Sequence, residues 1–337
     1  MRPRNLTITT SLALVVGLIV AMFVAMSAQA GSALTVDDLT GALEPSDLAN
    51  DLVGEGIAIS NVTYTGDEAA GGEFTGAANI IGFGSGVILS SGAVSSVVGP
   101  NVDDSITTSF GSAGDTDLEA LSGFETFDAS VLEFDFVPNT DAVAFQYVFA
   151  SDEYNEYVNT EFNDVFAFFI NGENCAMVDS DPVSVNTINN GNPDTGEDPT
   201  PSHAELYRNN DLDDGGGSIN TEMDGLTTVL TCQSAATPGT TNHMKLAIAD
   251  ASDESYDSAV FLQAGSFVAV VPPTSTATAT EEPEPTATEE SIQLPPTGGP
   301  TSGSADSDSL VGFAALGALG LAGALAAGYA LMKGRAG

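Results

Sequence analysis

Three stretches in the middle of the chain leave little choice of fold. Between Ser130 and Val137, Leu132, Phe134 and Phe136 alternate with Glu133 and Asp135. Val143, Phe145, Tyr147 and Phe149 form a second row of the same period, and Val165 to Ile170 (VFAFFI) is apolar throughout. Alternation of period two marks strands with one wet and one buried face. The unbroken run predicts a central strand covered on both sides. Further strand-like runs occupy Gly56 to Tyr64, Gly82 to Ser91, Met244 to Ala249 and Ala259 to Val271, and Gly, Asn, Asp and Ser fill the connections. Short strands joined by turns predict an all-β domain, an antiparallel β-sandwich of jelly-roll type. The start differs. Leu34, Leu39, Leu43, Leu48 and Leu52 recur at roughly helical spacing, broken at Pro45, and predict one or two short N-terminal helices.

The 337 residues include 47 Asp or Glu against 6 Lys or Arg, a net charge of −41. Arg2, Arg4, Lys333 and Arg335 flank two terminal apolar runs, so Arg208 and Lys245 alone face the 40 acids of residues 34–271. With 42% hydrophobic residues the chain has material for a core and is no disordered polyelectrolyte. Clustered cations for phosphate are missing, which excludes nucleic acid and direct adhesion to anionic lipid. Such a surface suits cations, or a salty or calcium-bearing medium.

Both ends read as addresses. Residues 1–30 have a basic start, an apolar run from Leu12 to Met26, and small residues before a cleavage point between Ala30 and Gly31, the pattern of a secretory signal. The folded domain then spans 31–271, followed by a Pro-, Thr- and Glu-rich stalk over 272–293, which lacks the large apolar side chains of a core. Leu294-Pro295-Pro296-Thr297-Gly298 looks like the LPXTG signal read by sortase. It precedes an uncharged stretch at 310–332, long enough for a transmembrane helix, and a basic cytoplasmic tail at 333–337. Sortase would cut after Thr297 and pass its carbonyl to a cell-wall amine acceptor. The other reading is a single-pass membrane anchor that is never cleaved. Either one predicts an extracellular domain anchored to wall or membrane.

Cys175 and Cys232 are the only cysteines, and an even pair in an exported chain reads as a disulfide, with two buried thiols as the alternative. Enzyme motifs are sparse. His203 and His243 stand outside any HExxH or His/Cys cluster, and no GxSxG occurs. Among so many acids, a carboxylate pair for glycoside hydrolysis would not stand out.

The denser signal lies in two acidic loops, Ala150 to Asp164 and Ala249 to Ser258, each framed by strands. Like charges gathered at a sheet edge are costly without a cation, and hard oxygen ligands suit Ca²⁺ with its six to eight oxygens. The candidate ligands are Asp152, Glu153, Asn163, Asp164, Asp250, Asp253 and Asp257. The alternative is a set of solvated turns on an acidic surface. Asn209, Asp211 and Asp213 alternate like calcium-loop ligands but lack the glycine placement and helices of an EF-hand, and read as a plain loop.

At these loops the chain resembles the choice-of-anchor L family of bacterial surface domains. The resemblance rests on Gly82 to Gly92 (GFGSGVILSSG), Val98 to Asn101, Gly114 to Glu119, Phe127 to Pro138, Phe145 to Asn174, Pro182 to Asn189 and Lys245 to Phe267. Asp152 replaces the Glu of the family's SEEY box and keeps the carboxylate. The resemblance implies an exported, anchored β-domain and carries no activity onto particular residues. The reading that follows is a surface display domain, adhesive or ligand-binding toward an unidentified extracellular ligand and stabilised by calcium. The alternatives are a surface-tethered glycan hydrolase and an acidic structural coat protein.

Overall fold

The computed structural model describes residues 33–194 and 196–270. Ala30, Gly31, the stalk, the motif from Leu294 to Gly298 and the apolar segment at 310–332 lie outside these residues. Among the described residues no helix is long and apolar enough to cross a membrane.

In chain order the strands are β1 (Thr35–Asp38), β2 (Ile57–Thr65), β3 (Gly71–Thr75), β4 (Ser85–Ser90), β5 (Thr126–Pro138), β6 (Ala142–Ser151), β7 (Val165–Ile170) and β8 (Glu173–Asn174). There follow β9 (Met177–Val178), β10 (Asp181–Pro182), β11 (Tyr207–Asn209), β12 (Gly225–Thr227), β13 (Leu230–Ala235), β14 (Asn242–Ala251), β15 (Ser258–Gln263) and β16 (Val268–Val270). The α-helices among the described residues are α1 (Pro45–Leu52) and α2 (Thr116–Ser122). Strands β9 and β10 form a separate small ribbon.

The nine-stranded sheet runs β1-β3-β4-β15-β6-β12-β11, with β13 and β16 also paired to β6. The five-stranded sheet runs β2-β5-β14-β7-β8. All of these pairings are antiparallel. The sheets face each other across a core to which β6 gives Phe145, Tyr147 and Phe149, β15 gives Val260 and Leu262, β5 gives Phe134 and Phe136, and β7 gives Phe166 and Phe168. The architecture is therefore a two-sheet antiparallel sandwich with few helices.

Each outer face is covered in part. Behind the larger sheet, Val148, Ala150, Ile88 and Phe261 pack under Ile80, Ile81, Val94, Val97 and Met223 from the connecting segments. Behind the smaller one, Val131, Val165, Ala167, Ala247 and Ala249 pack under Leu118 of α2. This explains why several strands read as apolar at successive positions: their alternate residues enter different clusters. β7 is covered on both faces as expected, but it is penultimate in its sheet, between the ten-residue β14 and the two-residue β8.

At the beginning one of the one or two expected short helices forms, at Pro45–Leu52, with a strand before it. Thr35–Asp38 is a strand paired with β3, and one helix follows. Proline starts that helix instead of breaking it, because its missing N–H falls among the donors that a first turn leaves unpaired. Asp47 accepts from the Glu44 N–H at 2.9 Å, and Leu48, Ala49 and Leu52 turn into the core. Two other boundaries shift. Gly82 to Gly84 form a turn before β4, and the expected strand from Ala259 to Val271 is interrupted after Gln263. Cys175 and Cys232 form a disulfide with Cα atoms 5.3 Å apart, tying the segment after β8 to β13 and hence one sheet to the other.

Candidate functional site: a carboxylate seam at one end of the sandwich

The strand order brings distant acids to one end of the molecule. β6 runs into Asp152 and Glu153, and β14 ends beside Asp250. Asp164 precedes β7, Asp224 precedes β12, and Asp257 precedes β15. Antiparallel pairing then sets these strand ends together, with both Ser258 and Gly225 opposite Ser151, and Ala249 opposite Val165. The link between the sheets is direct, since the Ser258 hydroxyl of β15 donates to Asp164 Oδ2 at 2.7 Å.

These acids are interior. Asp152, Asp164 and Asp224 have no exposed surface, and Glu153, Asp250 and Asp257 are at most 2% exposed. Asp164 is satisfied: besides Ser258 it accepts from the Ala251 N–H at 2.9 Å. Asp128, behind it, is satisfied by the N–H groups of Phe110 and Ser112 at 2.8 and 2.6 Å. The others are not. Asp152 Oδ2, Glu153 Oε2, Asp224 Oδ2, Asp257 Oδ2, both oxygens of Asp250, and Asn101 Oδ1 have no hydrogen-bond partner. These are all the buried side-chain nitrogens and oxygens without a partner among the described residues, and all lie at this end. Buried polar groups are normally bonded, so a local concentration of exceptions calls for a physical cause.

Two groups can be distinguished. In the first, Asp250 stands at a bulge where the pairing of β14 with β5 shifts register after Ile248, and a bulge re-aims a side chain. Ser91 and Asp164 lie within side-chain hydrogen-bonding reach of its carboxyl, although neither Asp250 oxygen has a partner of regular geometry. Asp257 accepts from the Thr108 N–H at 3.1 Å. A Cβ on Gly92 would collide with the Asp257 carboxylate, so the absence of a side chain there makes the space Asp257 fills. In the second, Asp152 Oδ1 accepts from the Asp224 N–H at 3.1 Å, and Asp224 Oδ1 accepts from Asn101 Nδ2 at 2.6 Å. Glu222 Oε1 holds the N–H groups of Val102 and Asp103 at 3.1 and 3.0 Å.

The electrostatics follow from this crowding. Burial first, and then repulsion from Asp224, push the Asp152 carboxyl well above the usual carboxylate range. Burial, and then Asp164, raise Glu153. Asp250 is driven up the same way, and burial lifts Asp224 to about 8 and Asp257 to about 6. The basic side chains are engaged elsewhere. Lys245 Nζ bonds Asp115 and Asp117 at 2.7 and 2.6 Å, and Arg208 donates to the Ile80 carbonyl at 2.8 Å. His203 meets Asp179, and His243 meets Glu133 and Asp135.

Of the residues singled out from sequence, Asp152, Glu153, Asp164, Asp250 and Asp257 come together in the seam. Asn163 and Asp253 do not share its burial. Asn163 accepts from the Asn186 N–H at 2.8 Å, and Asp253 accepts from the Ser255 N–H at 3.0 Å, each holding a turn. Among the described residues no three His, Cys, Asp or Glu side chains form a ready-made metal shell, so the acids make a seam rather than a closed cage. Sequence reasoning missed Asn101, Asp224 and Glu222. Their only local signal is an acid just before a strand, and its meaning depends on which strand β12 pairs with.

A disulfide-tied antiparallel sandwich with a strongly acidic composition belongs with the β-domains of oxidising compartments. The Choice-of-anchor L domain model matches residues 35–268, and the chain belongs to that family. Membership implies a surface-exposed, extracellular protein. No curated protein and no solved structure matches significantly.

Proposed function

We propose that this chain is an extracellular display domain, adhesive or ligand-binding, whose acidic end takes calcium. In this reading the C-terminal LPPTG segment, through sortase and a cell-wall amine or through its apolar stretch, holds the domain at the cell surface. The observation that carries the calcium reading is the gathering of unpartnered, buried carboxylate oxygens at one end, while Lys245 and Arg208 are engaged with other partners. Even after relaxation and water penetration, burying an ion without compensation costs several kcal/mol. Either protons or a cation must supply the compensation. Asp250 and Asp257, with Asp164 and Glu153 beside them, offer hard oxygens of the kind calcium prefers, and its tolerance of irregular geometry suits an open seam. Backbone carbonyls and water would complete the coordination.

The seam also explains what calcium would be for. The loops it joins, 92–112, 152–164, 209–224 and 250–257, are the connecting segments at one end of a rigid sandwich, where binding surfaces are commonly built. Fixing them presents a defined surface to a ligand. Burial speaks against the seam as a glycan-hydrolase site, because a sugar ring cannot reach carboxylates with no more than 2% of their surface exposed. Thermal melts test the proposal against the coat-protein reading. Chelator should lower the melting temperature and added calcium restore it, while sodium chloride of equal ionic strength does not. Identical recovery with sodium would refute calcium and favour simple charge screening.

A further inference from the structure

We infer that Asn101, Asp152 and Asp224 form a second position for a divalent, calcium-class cation, separate from the group around Asp250. Three side chains from three remote parts of the sequence are joined there in one hydrogen-bonded row. Asn101 Nδ2 donates to Asp224 Oδ1 at 2.6 Å, and the Asp224 N–H donates to Asp152 Oδ1 at 3.1 Å. Each side chain keeps one further oxygen that meets nothing: Asn101 Oδ1, Asp152 Oδ2 and Asp224 Oδ2. Asn101 is 7% exposed, and neither acid has any exposed surface.

The orientation of the Asn101 amide is fixed by its surroundings. Its nitrogen lies between Asp224 Oδ1 and the Asn210 carbonyl, 3.1 Å away, so the reverse assignment would set an amide oxygen against two acceptors. The free oxygen is therefore a consequence of the network. One unpaired amide oxygen and two unpaired carboxylate oxygens on residues linked in this way are the kind of donors a hard cation takes. A shared proton would satisfy one carboxylate but would leave the amide oxygen without a donor. A monovalent ion would balance only one of the two charges.

The framework around the three residues is rigid. Asn210 donates to the carbonyls of Thr221 and Met223 and accepts from the Ile219 N–H. Glu222 holds the backbone next to Asn101. A cation here would fasten the 97–103 and 209–224 segments to the end of β6.

This inference rests on the reading that the acidic end takes divalent cations, and one experiment separates the two. Calcium bound per full-length chain is measured by equilibrium dialysis for the wild type, Asp224→Asn, Asn101→Ala and Asp250→Asn, with near-ultraviolet circular dichroism confirming that each variant is folded. The wild type should bind one ion more than Asp224→Asn and one more than Asp250→Asn, and a variant carrying both Asp224→Asn and Asp250→Asn should lose both. Asn101→Ala, which keeps both carboxylates, should weaken the same ion as Asp224→Asn by about tenfold or more. If Asp224→Asn binds as many ions as the wild type, the second position does not exist and the Asp250 reading stands. If both single variants lose one shared ion, the positions are one site. If the wild type binds none, both readings fall.

Discussion

Asp250 is the residue at which the competing energies are easiest to separate. Its carboxyl is 1% exposed, neither oxygen is bonded, and it stands at a β-bulge that turns it into the seam. Without metal, this acid must either stay charged in the interior or hold a proton against its ordinary affinity, and both oppose folding. Replacing it with the nearly isosteric asparagine removes the charge while keeping the shape. Asp250→Asn should therefore stabilise the chelator-treated protein, because the amide carries no charge to desolvate and no proton to hold. It should also abolish most of the gain from calcium. Urea denaturation with and without chelator reads both effects. Destabilisation of equal size in both conditions would make Asp250 an ordinary structural acid. Gly92 belongs to the same argument, because the space it leaves open is filled by the Asp257 carboxylate.

At the scale of elements, the disulfide and the strand order have separable roles. Cys175 and Cys232 lie 57 residues apart in sequence and join parts of opposite sheets. On the chain-entropy account, closing such a loop contributes roughly 4 kcal/mol, chiefly by restricting the unfolded chain. Cys175→Ser with Cys232→Ser should lower stability by about that amount in urea and leave calcium affinity unchanged, since neither sulfur touches the seam. A loss of calcium binding with retained folding would show that the bridge shapes the acidic end. Much at this scale was legible in the sequence. β7 falls on the expected residues, and β2, β5, β6 and β14 lie within a few residues of expectation, because period-two burial dominates their composition. Within residues 34–52, buried Leu34 and Leu39 flank β1 while Leu48 and Leu52 are buried from α1, so a strand and a helix together mimic one longer helical period. The site was half legible. Acids inside the two strand-framed loops could be picked out, but Asp224 and Asn101 acquire meaning only when β12 is seen to pair with the end of β6. Sequence carries no local trace of a pairing across some seventy residues.

For the whole molecule, the issue is what balances a domain of 40 acids and two Lys or Arg. Surface acids are balanced by water and diffuse ions, whereas the buried acids of the seam need a bound partner. In the metal-free protein, burial raises Asp224 to about 8, Asp257 to about 6 and Glu156 to about 7, all above their values in an unfolded chain. The folded state then holds more protons than the unfolded state between about pH 4 and 8, so its stability falls as pH rises through that window. Calcium competes with those protons and should reverse the trend. Melting temperatures in chelator should be higher at pH 5 than at pH 8, and the increment from calcium should be larger at pH 8. A chelated protein that gains stability from pH 5 to pH 8 would contradict this assignment.

The central claim is that a cation, rather than protons alone, neutralises the buried seam. Calorimetric titration of the full-length chain with calcium at pH 8 and constant ionic strength tests it most directly. The account predicts saturable heat at a whole-number stoichiometry, lost when excess chelator is present. A flat titration, with a melting temperature indifferent to calcium, would mean that the carboxylates are neutralised by protons and that this end of the domain is not a cation site.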